Sequence, residues 1–141
     1  MLFRSNRYDA SVPVVVGEIR REKSVFVDDA KYLRSLTKLP IKYTLPGPMT
    51  MVDTLYDEYY KSREKLAEKF AEVLNKEAKE LENAGVDYIQ FDEPAFNVFF
   101  DEVRDWGIKI LEKAASNGNT CSYCLHSLPK LFFQLIFASI P

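Results

Sequence analysis

The segment VDYIQFDEP, residues 86–94, decides the predicted fold. It opens with β-forming and apolar residues and closes with two acids and a proline, which cannot donate to a sheet ladder. Residues 86–91 are therefore predicted to form a buried strand. Asp92 and Glu93 then lie at its carboxyl end.

A long amphipathic helix is predicted directly before this strand, from about Ser62 to Ala84. Gly85 stands in the usual C-terminal capping place. The helix has one apolar stripe and a charged opposite face, as expected for a helix packed on a sheet. The stripe consists of Leu66, Phe70, Val73, Leu74, Ala78 and Leu81.

Two further β-forming runs lie upstream, at residues 12–19 and 41–45. The consecutive valines of the first favour a strand buried on both faces, as in a parallel sheet. The second ends at Pro46-Gly47-Pro48, where the chain must leave the sheet. Between them, apolar residues three apart predict a helix over 25–36, with Val27, Ala30, Leu33 and Leu36 on one side.

Downstream of residue 94 a helix is predicted from about Phe96 to Ala115, weakened but not broken by Gly107. Residues 120–124 then suit a fourth strand, and residues 128–140 an apolar helix or strand.

Alternating strands and helices of these lengths predict a parallel α/β sheet with helices outside, either an open doubly wound sheet or part of a TIM barrel. Three or four such units cannot close an eight-stranded barrel, which typically needs about 250 residues. The 141 residues suit a single domain, 1–141.

Functional groups gather at the carboxyl ends of parallel strands, because the strand-to-helix loops emerge there. Asp92 and Glu93 are the best site candidates, since two adjacent acids after an apolar strand need partners if buried. One is expected to face the barrel mouth, while the other caps the next helix or pairs with Arg20, Arg21 or Lys42. The alternative is that both are turn and capping carboxylates.

Two other strand ends have structural explanations. Pro46-Gly47-Pro48 is explained by a rigid turn, although the glycine would also let backbone approach a substrate closely. For Glu18, pairing with the arginines just beyond it is favoured over catalysis.

Cys121, Cys124 and His126 form Cys-x-x-Cys-x-His, three zinc-competent side chains. A closed structural zinc site needs four ligands and no second pair exists, so no metal ligand is assigned from the spacing. A lone histidine also makes a nucleophilic triad a weak hypothesis.

Bulk properties exclude several classes of protein. The net charge of −2, from 19 basic and 21 acidic residues, gives no basic stripe for nucleic acid. The N-terminal residues lack the apolar core of a signal peptide, and the apolar stretch 131–140 is half the roughly 20 residues of a membrane span. A cytoplasmic protein without a membrane anchor is expected.

Four blocks of this chain resemble the C-terminal catalytic domain of cobalamin-independent methionine synthase. Residues 12–19 are similar to its Pro-apolar-Gly-acid strand, and residues 41–50 to its Lys-x-x-Leu-x-Gly-Pro-x-Thr block. Residues 81–85 resemble the end of the family's long helix, and residues 89–95 nearly reproduce the family's Ile-Gln-Ile-Asp-Glu-Pro-Ala block. With Trp106 also in place, the resemblance covers about residues 12–115.

The resemblance implies a partial barrel of the methionine synthase/uroporphyrinogen decarboxylase-like type. It further implies zinc-dependent transfer of a methyl group to the homocysteine thiol in methionine biosynthesis. Asp92 would bind the amino-acid end of homocysteine, with Glu93 beside it as a second substrate-binding candidate. The alternatives are a relative that methylates another thiol, such as coenzyme M, or a non-catalytic assembly domain.

The chain also departs from the family pattern. It lacks the family's His-x-Cys zinc pair, so the ligand set is incomplete, and residues 118–141 diverge. We therefore expect a truncated copy that forms an oligomer, is an unstable fragment, or is completed by a separately encoded chain, and its activity is left open. The tryptophan that packs on folate in long forms falls at Thr54, which leaves the methyl donor open between folate and corrinoid.

Overall fold

A computed structural model describes residues 2–4, 9–116 and 122–126, with side chains described over 11–116. Near the N-terminus β1 (Leu2–Arg4) and β2 (Asp9–Ser11) pair antiparallel. The predictions for residues 128–140 and for Cys121 lie outside the described residues.

The first predicted strand is much shorter than expected. Only Val14–Val15 forms a strand, β3, which pairs in parallel with β5 (Tyr56–Asp57). The expectation of burial on both faces was wrong, because Val15 is buried whereas Val16 is 74% exposed. A run of valines therefore shows β propensity here without full burial.

Three parallel strands form the main described sheet. They are β4 (Lys42–Pro46), β6 (Tyr88–Asp92) and β7 (Ser122–His126), in the order β4-β6-β7. The register pairs Pro46 with Asp92, and Asp92 with His126, so the carboxyl ends of all three strands meet at one edge. The predicted parallel α/β arrangement is confirmed, including a fourth β-forming segment near residue 122.

Helix α1 spans Val27–Leu36 and has acids in its first turn. The apolar spacing therefore predicted the helix correctly. Of the four apolar residues that lie three apart, Val27 and Ala30 are buried, whereas Leu33 and Leu36 are 42% and 65% exposed.

Helix α3 spans Arg63–Asn83 and matches its prediction closely. The Ser62 side chain accepts a hydrogen bond from the Lys65 backbone N–H, as an N-cap does. Gly85 follows the helix at φ +94°, a conformation that favours glycine. Burial of one stripe packs α3 against the sheet and against a helix formed by Ile108–Ala115.

The predicted helix over 96–115 is real but interrupted at its start. A 3₁₀ turn (Pro94–Asn97) comes first, then α4 (Phe100–Glu102), a π-helical turn (Val103–Gly107) and α5 (Ile108–Ala115). Gly107 lies where a Cβ would come within 2.6 Å of the Met49 sulfur. This glycine therefore allows the irregular turn to pack closely against the much earlier segment that contains Met49.

Helix α2 (Pro48–Asp53) follows β4 without a linker, with Gly47 as N-cap and Pro48 in the first turn. The sequence predicted only a turn here. Proline is favoured in a first turn because its missing N–H would have had no intrahelical partner.

The two faces of the main sheet differ in character. Leu45, Ile89 and Phe91 point to the helix layer and are each 1% exposed. Lys42, Thr44, Gln90 and Asp92 share the opposite face, as residues two apart in a strand do. The apolar core therefore lies on the helical side, and the other face is polar. No helix among the described residues is long and apolar enough to cross a membrane.

Candidate functional site

The candidate site lies at the carboxyl edge of the main sheet, where β4 and β6 end side by side. The backbone N–H of Gly47 donates to the Asp92 carbonyl at 2.7 Å, which joins the two strand ends. Asp92 and Glu93 diverge beyond this point, as the sequence predicted. The side chain of Glu93 is buried, whereas that of Asp92 is partly exposed, and the two carboxylates have different hydrogen-bond partners.

Glu93 turns into the protein and is 1% exposed. Its carboxylate accepts from the backbone N–H groups of Met49, at 3.0 Å, and Thr50, at 2.6 Å. It also bonds the Thr50 hydroxyl. Glu93 therefore caps a helix, but the prediction that this would be the next helix was wrong: the helix is α2, which precedes the acid in sequence.

Gly47 makes this capping possible. A Cβ at position 47 would lie 2.1 Å from Glu93 Oε2 and 2.4 Å from Glu93 Cδ, both far inside contact distance. The close approach that the sequence suggested for a substrate is made instead by the carboxylate of Glu93. Any other residue at position 47 would push this acid off the helix end.

Burial raises the pKa of Glu93, and the hydrogen bonds from Thr50 and Met49 oppose that rise without cancelling it. A carboxylate loses solvation when it is buried, whereas hydrogen bonds to the charged form favour it.

Asp92 lies on the polar face and is partly exposed. Its Oδ1 accepts a 2.6 Å hydrogen bond from Nε2 of Gln90, and Gln90 Oε1 in turn accepts a 2.9 Å bond from Lys42 Nζ. The predicted pairing of an acid with Lys42 is thus indirect, through a buried amide. A partly exposed carboxylate held in this way suits an ionic contact with a cationic ligand group.

The arginines expected near the acids bind elsewhere. Arg20 contacts Glu18 at 2.7 Å, which confirms the predicted salt bridge and lowers the pKa of Glu18. Arg21 instead bridges Glu77 and Glu80 of α3, at 2.7 and 2.6 Å. Neither arginine therefore neutralises the carboxylates at the sheet edge.

Glu77 is a buried acid that sequence reasoning missed. It is 4% exposed and accepts from the backbone N–H groups of Val25 and Phe26, at 2.9 and 2.8 Å, as well as from Arg21. It thereby fixes the loop before α1 to α3. Its position could have indicated that it is buried, because it lies on the predicted apolar stripe, three residues after Leu74 and four before Leu81.

The zinc hypothesis is not met by the side chains that the structure describes. Over residues 11–116 no three His, Cys, Asp or Glu side chains cluster in a way that could hold a metal ion. Cys124 and His126 lie in β7, in register with Gln90 and Asp92, but their side chains are outside the described set. Zinc binding by this chain stays a prediction.

The sheet is parallel, and the partly exposed carboxylate of Asp92 lies at its carboxyl edge. These features are typical of the α/β proteins that bind their ligands at the carboxyl ends of the strands. The sequence profile described as "Cobalamin-independent synthase, Catalytic domain" matches residues 4–120. The chain therefore belongs to the cobalamin-independent synthase family, as the motif at residues 89–95 predicted.

Two curated relatives show what this chain is similar to. The chain is 36% identical over 108 residues to the methionine synthase of Sulfurisphaera tokodaii, a match to 76% of this chain and 32% of that protein. It is 38% identical over 104 residues to the 5-methyltetrahydropteroyltriglutamate–homocysteine methyltransferase of Klebsiella pneumoniae, a match to 69% of this chain and 14% of that protein. The chain thus spans a third or less of these relatives.

A solved structure agrees with the fold. A B12-independent methionine synthase from Shewanella sp. W3-18-1, determined in complex with selenomethionine, superposes with a TM-score of 0.83 at 64% identity. The match covers 89% of this chain and 37% of the Shewanella chain. The mixed α/β fold is therefore shared with a methionine synthase.

Proposed function

We propose that this chain contributes part of a site at which a methyl group is transferred to the thiol of homocysteine. The observation that carries the proposal is the partly exposed Asp92 carboxylate at the carboxyl edge of the sheet, held by Gln90 within the family's most specific motif. Relatives named for this reaction, and a relative solved with selenomethionine, support the choice of ligand.

In this proposal Asp92 binds the ammonium group of the amino acid. An ion pair with a fixed carboxylate holds the substrate backbone, so that its sulfur takes one position relative to the methyl donor. The thiol releases its proton to water, and its sulfur bonds the methyl carbon. The bond between that carbon and the donor breaks, with its electron pair leaving on the donor.

In the same proposal Glu93 has a structural role and does not contact the ligand. Its hydrogen bonds go to α2, and it fixes the strand-to-helix turns that flank Asp92. Substrate binding by Glu93 itself, the other half of the sequence prediction, would require its buried carboxylate to leave these partners. Asp92 is therefore the acid proposed to contact the ligand.

We also propose that the described α/β units are part of a TIM-like barrel in a single domain and that another chain or a second copy associates with them. Tyr32, Leu36 and Leu39 are 68%, 65% and 72% exposed around the end of α1, a concentration of apolar surface that favours association. Sedimentation over a range of concentrations measures association with a second copy. A monomer at every concentration contradicts that association.

Ligand-dependent stabilisation tests the function. A ligand that binds the native state raises the apparent melting temperature. We expect L-homocysteine and L-selenomethionine to stabilise the full chain and coenzyme M, which has no ammonium group, to have no effect. Asp92→Asn removes the response, whereas the control Asp105→Asn, on an exposed acid of the π turn, retains it. A response to coenzyme M that survives Asp92→Asn contradicts the proposal.

A further inference from the structure

The Lys42–Gln90–Asp92 chain has a fixed polarity. A lysine ammonium only donates hydrogen bonds and an aspartate carboxylate only accepts them, whereas an amide does both. The Gln90 amide must therefore turn its oxygen to Lys42 and its nitrogen to Asp92, as observed at 2.9 and 2.6 Å. The charges at the two ends determine this orientation.

Gln90 is itself well held. It is 7% exposed, in the middle of β6, and a buried amide without partners would be costly. Asp92 lies two residues further along the same strand, so both side chains project from one face. The buried amide thus provides a rigid support for a carboxylate that is itself partly exposed.

The amide also separates two opposite charges. Lys42 bonds the amide oxygen, and among the described residues no ion pair joins Lys42 directly to Asp92. A direct pair would occupy the carboxylate with an internal cation. With the amide between them, Asp92 keeps its negative charge available, while the ammonium polarises the amide that donates to it.

We propose that Gln90, oriented by Lys42, is a positioning residue that fixes the Asp92 carboxylate for the ammonium group of an amino-acid ligand. The proposal rests on the proposed function, because it takes Asp92 as the ligand contact. It assigns a role to an amide and a lysine that touch no ligand themselves. Gln90 acts on one carboxylate oxygen and leaves the other directed to the ligand.

Calorimetric titration of the full chain with L-selenomethionine tests the proposal. Gln90→Leu keeps the size of the side chain and removes both hydrogen bonds. We expect its Kd to rise roughly tenfold, the amount that corresponds to one hydrogen bond to a charged group. Lys42→Met is expected to raise Kd by a smaller factor, and the control Lys38→Met, on an exposed lysine, leaves it unchanged.

A second probe separates positioning from mere structural support. 4-(Methylthio)butanoate has the thioether and carboxylate of methionine but no ammonium, so its weaker binding should not change in Gln90→Leu. Equal weakening of both probes overturns the positioning role. If Gln90→Leu does not fold, Gln90→Met replaces it, because a thioether of similar length adds no charge, cannot donate to Asp92 and should also weaken only the selenomethionine binding.

The failure of this inference differs from the failure of the proposed function. Binding by the wild type that Asp92→Asn abolishes and Gln90→Leu leaves intact overturns the positioning role alone. Wild-type protein that does not bind L-selenomethionine at all overturns both. Selective loss of selenomethionine affinity in Gln90→Leu supports both.

Discussion

Gly47→Ala tests whether the carboxylate of Glu93 joins the two strand ends at the candidate site. The added Cβ would lie 2.1 Å from Glu93 Oε2, so the acid must retreat by about 1.3 Å to reach the 3.4 Å of an ordinary contact. That displacement breaks its bond to the Met49 N–H, now 3.0 Å, and weakens those to Thr50. The substitution therefore combines overpacking with loss of hydrogen bonds.

The expected cost follows from these two terms. Overpacking costs about 1–3 kcal/mol, and a hydrogen bond to a charged group contributes about 1.5–3 kcal/mol, so we expect a loss of roughly 3–5 kcal/mol in the free energy of unfolding. Urea denaturation followed by circular dichroism measures it. Gly17→Ala is the matched control, since a Cβ there meets nothing within 4 Å.

A double-mutant cycle identifies Glu93 as the cause. With Glu93→Ala the oxygen and Cδ contacts vanish and only the Cβ, at 3.0 Å, stays close, so Gly47→Ala should then cost about 1 kcal/mol. The reasoning is refuted if Gly47→Ala costs as much in this background as in the wild type, or if it is as mild as Gly17→Ala.

Two further predictions concern the buried acids. Because burial raises the pKa of Glu93, its contribution to stability is present below the unfolded pKa near 4.5 and is lost as pH rises through the folded value. The stability of wild type relative to Glu93→Gln should therefore fall with rising pH, by at most about 1.4 kcal/mol per unit, and a flat difference in urea titrations from pH 4 to 7 would contradict this. Glu77→Ala leaves the Val25 and Phe26 N–H groups without their acceptor and leaves Arg21 paired with Glu80 alone. We therefore expect a loss of about 3–5 kcal/mol by urea denaturation, against less than about 1 kcal/mol for the exposed neighbour Lys76→Ala.

The long helix and the central strand could be predicted from sequence because their signals are local. The apolar stripe of α3, its cap Ser62 and the glycine at position 85 all lie within one segment and indicate the same structure. The strand before Asp92 was equally clear, because its apolar residues end abruptly at charged ones. Agreement among independent local signals made these elements secure.

The parts that sequence reasoning missed depend on contacts between distant residues. Val16 has the β propensity of its neighbours but is 74% exposed, because burial depends on which distant segments pack against a strand and not on its own sequence. Helix α2 was hidden because its first turn is satisfied by Glu93, more than forty residues away. No pattern within residues 46–53 indicates that a distant carboxylate will accept hydrogen bonds from the first turn of this helix.

Two neighbouring acids can serve one site only if their surroundings keep them apart in function. Alternation along β6 sends Asp92 to the polar face and turns Glu93 into the protein. Each then needs its own partner. Glu93 has the N–H groups of α2, which the absence of a side chain at Gly47 leaves accessible, and Asp92 has the amide of Gln90. The conformation of the strand end thus rests on the buried acid, and the negative charge is presented by the exposed one. Exchanging the two residues would place a shorter acid against α2 and a longer, less constrained one at the ligand, so the order Asp-Glu is itself part of the design of this edge.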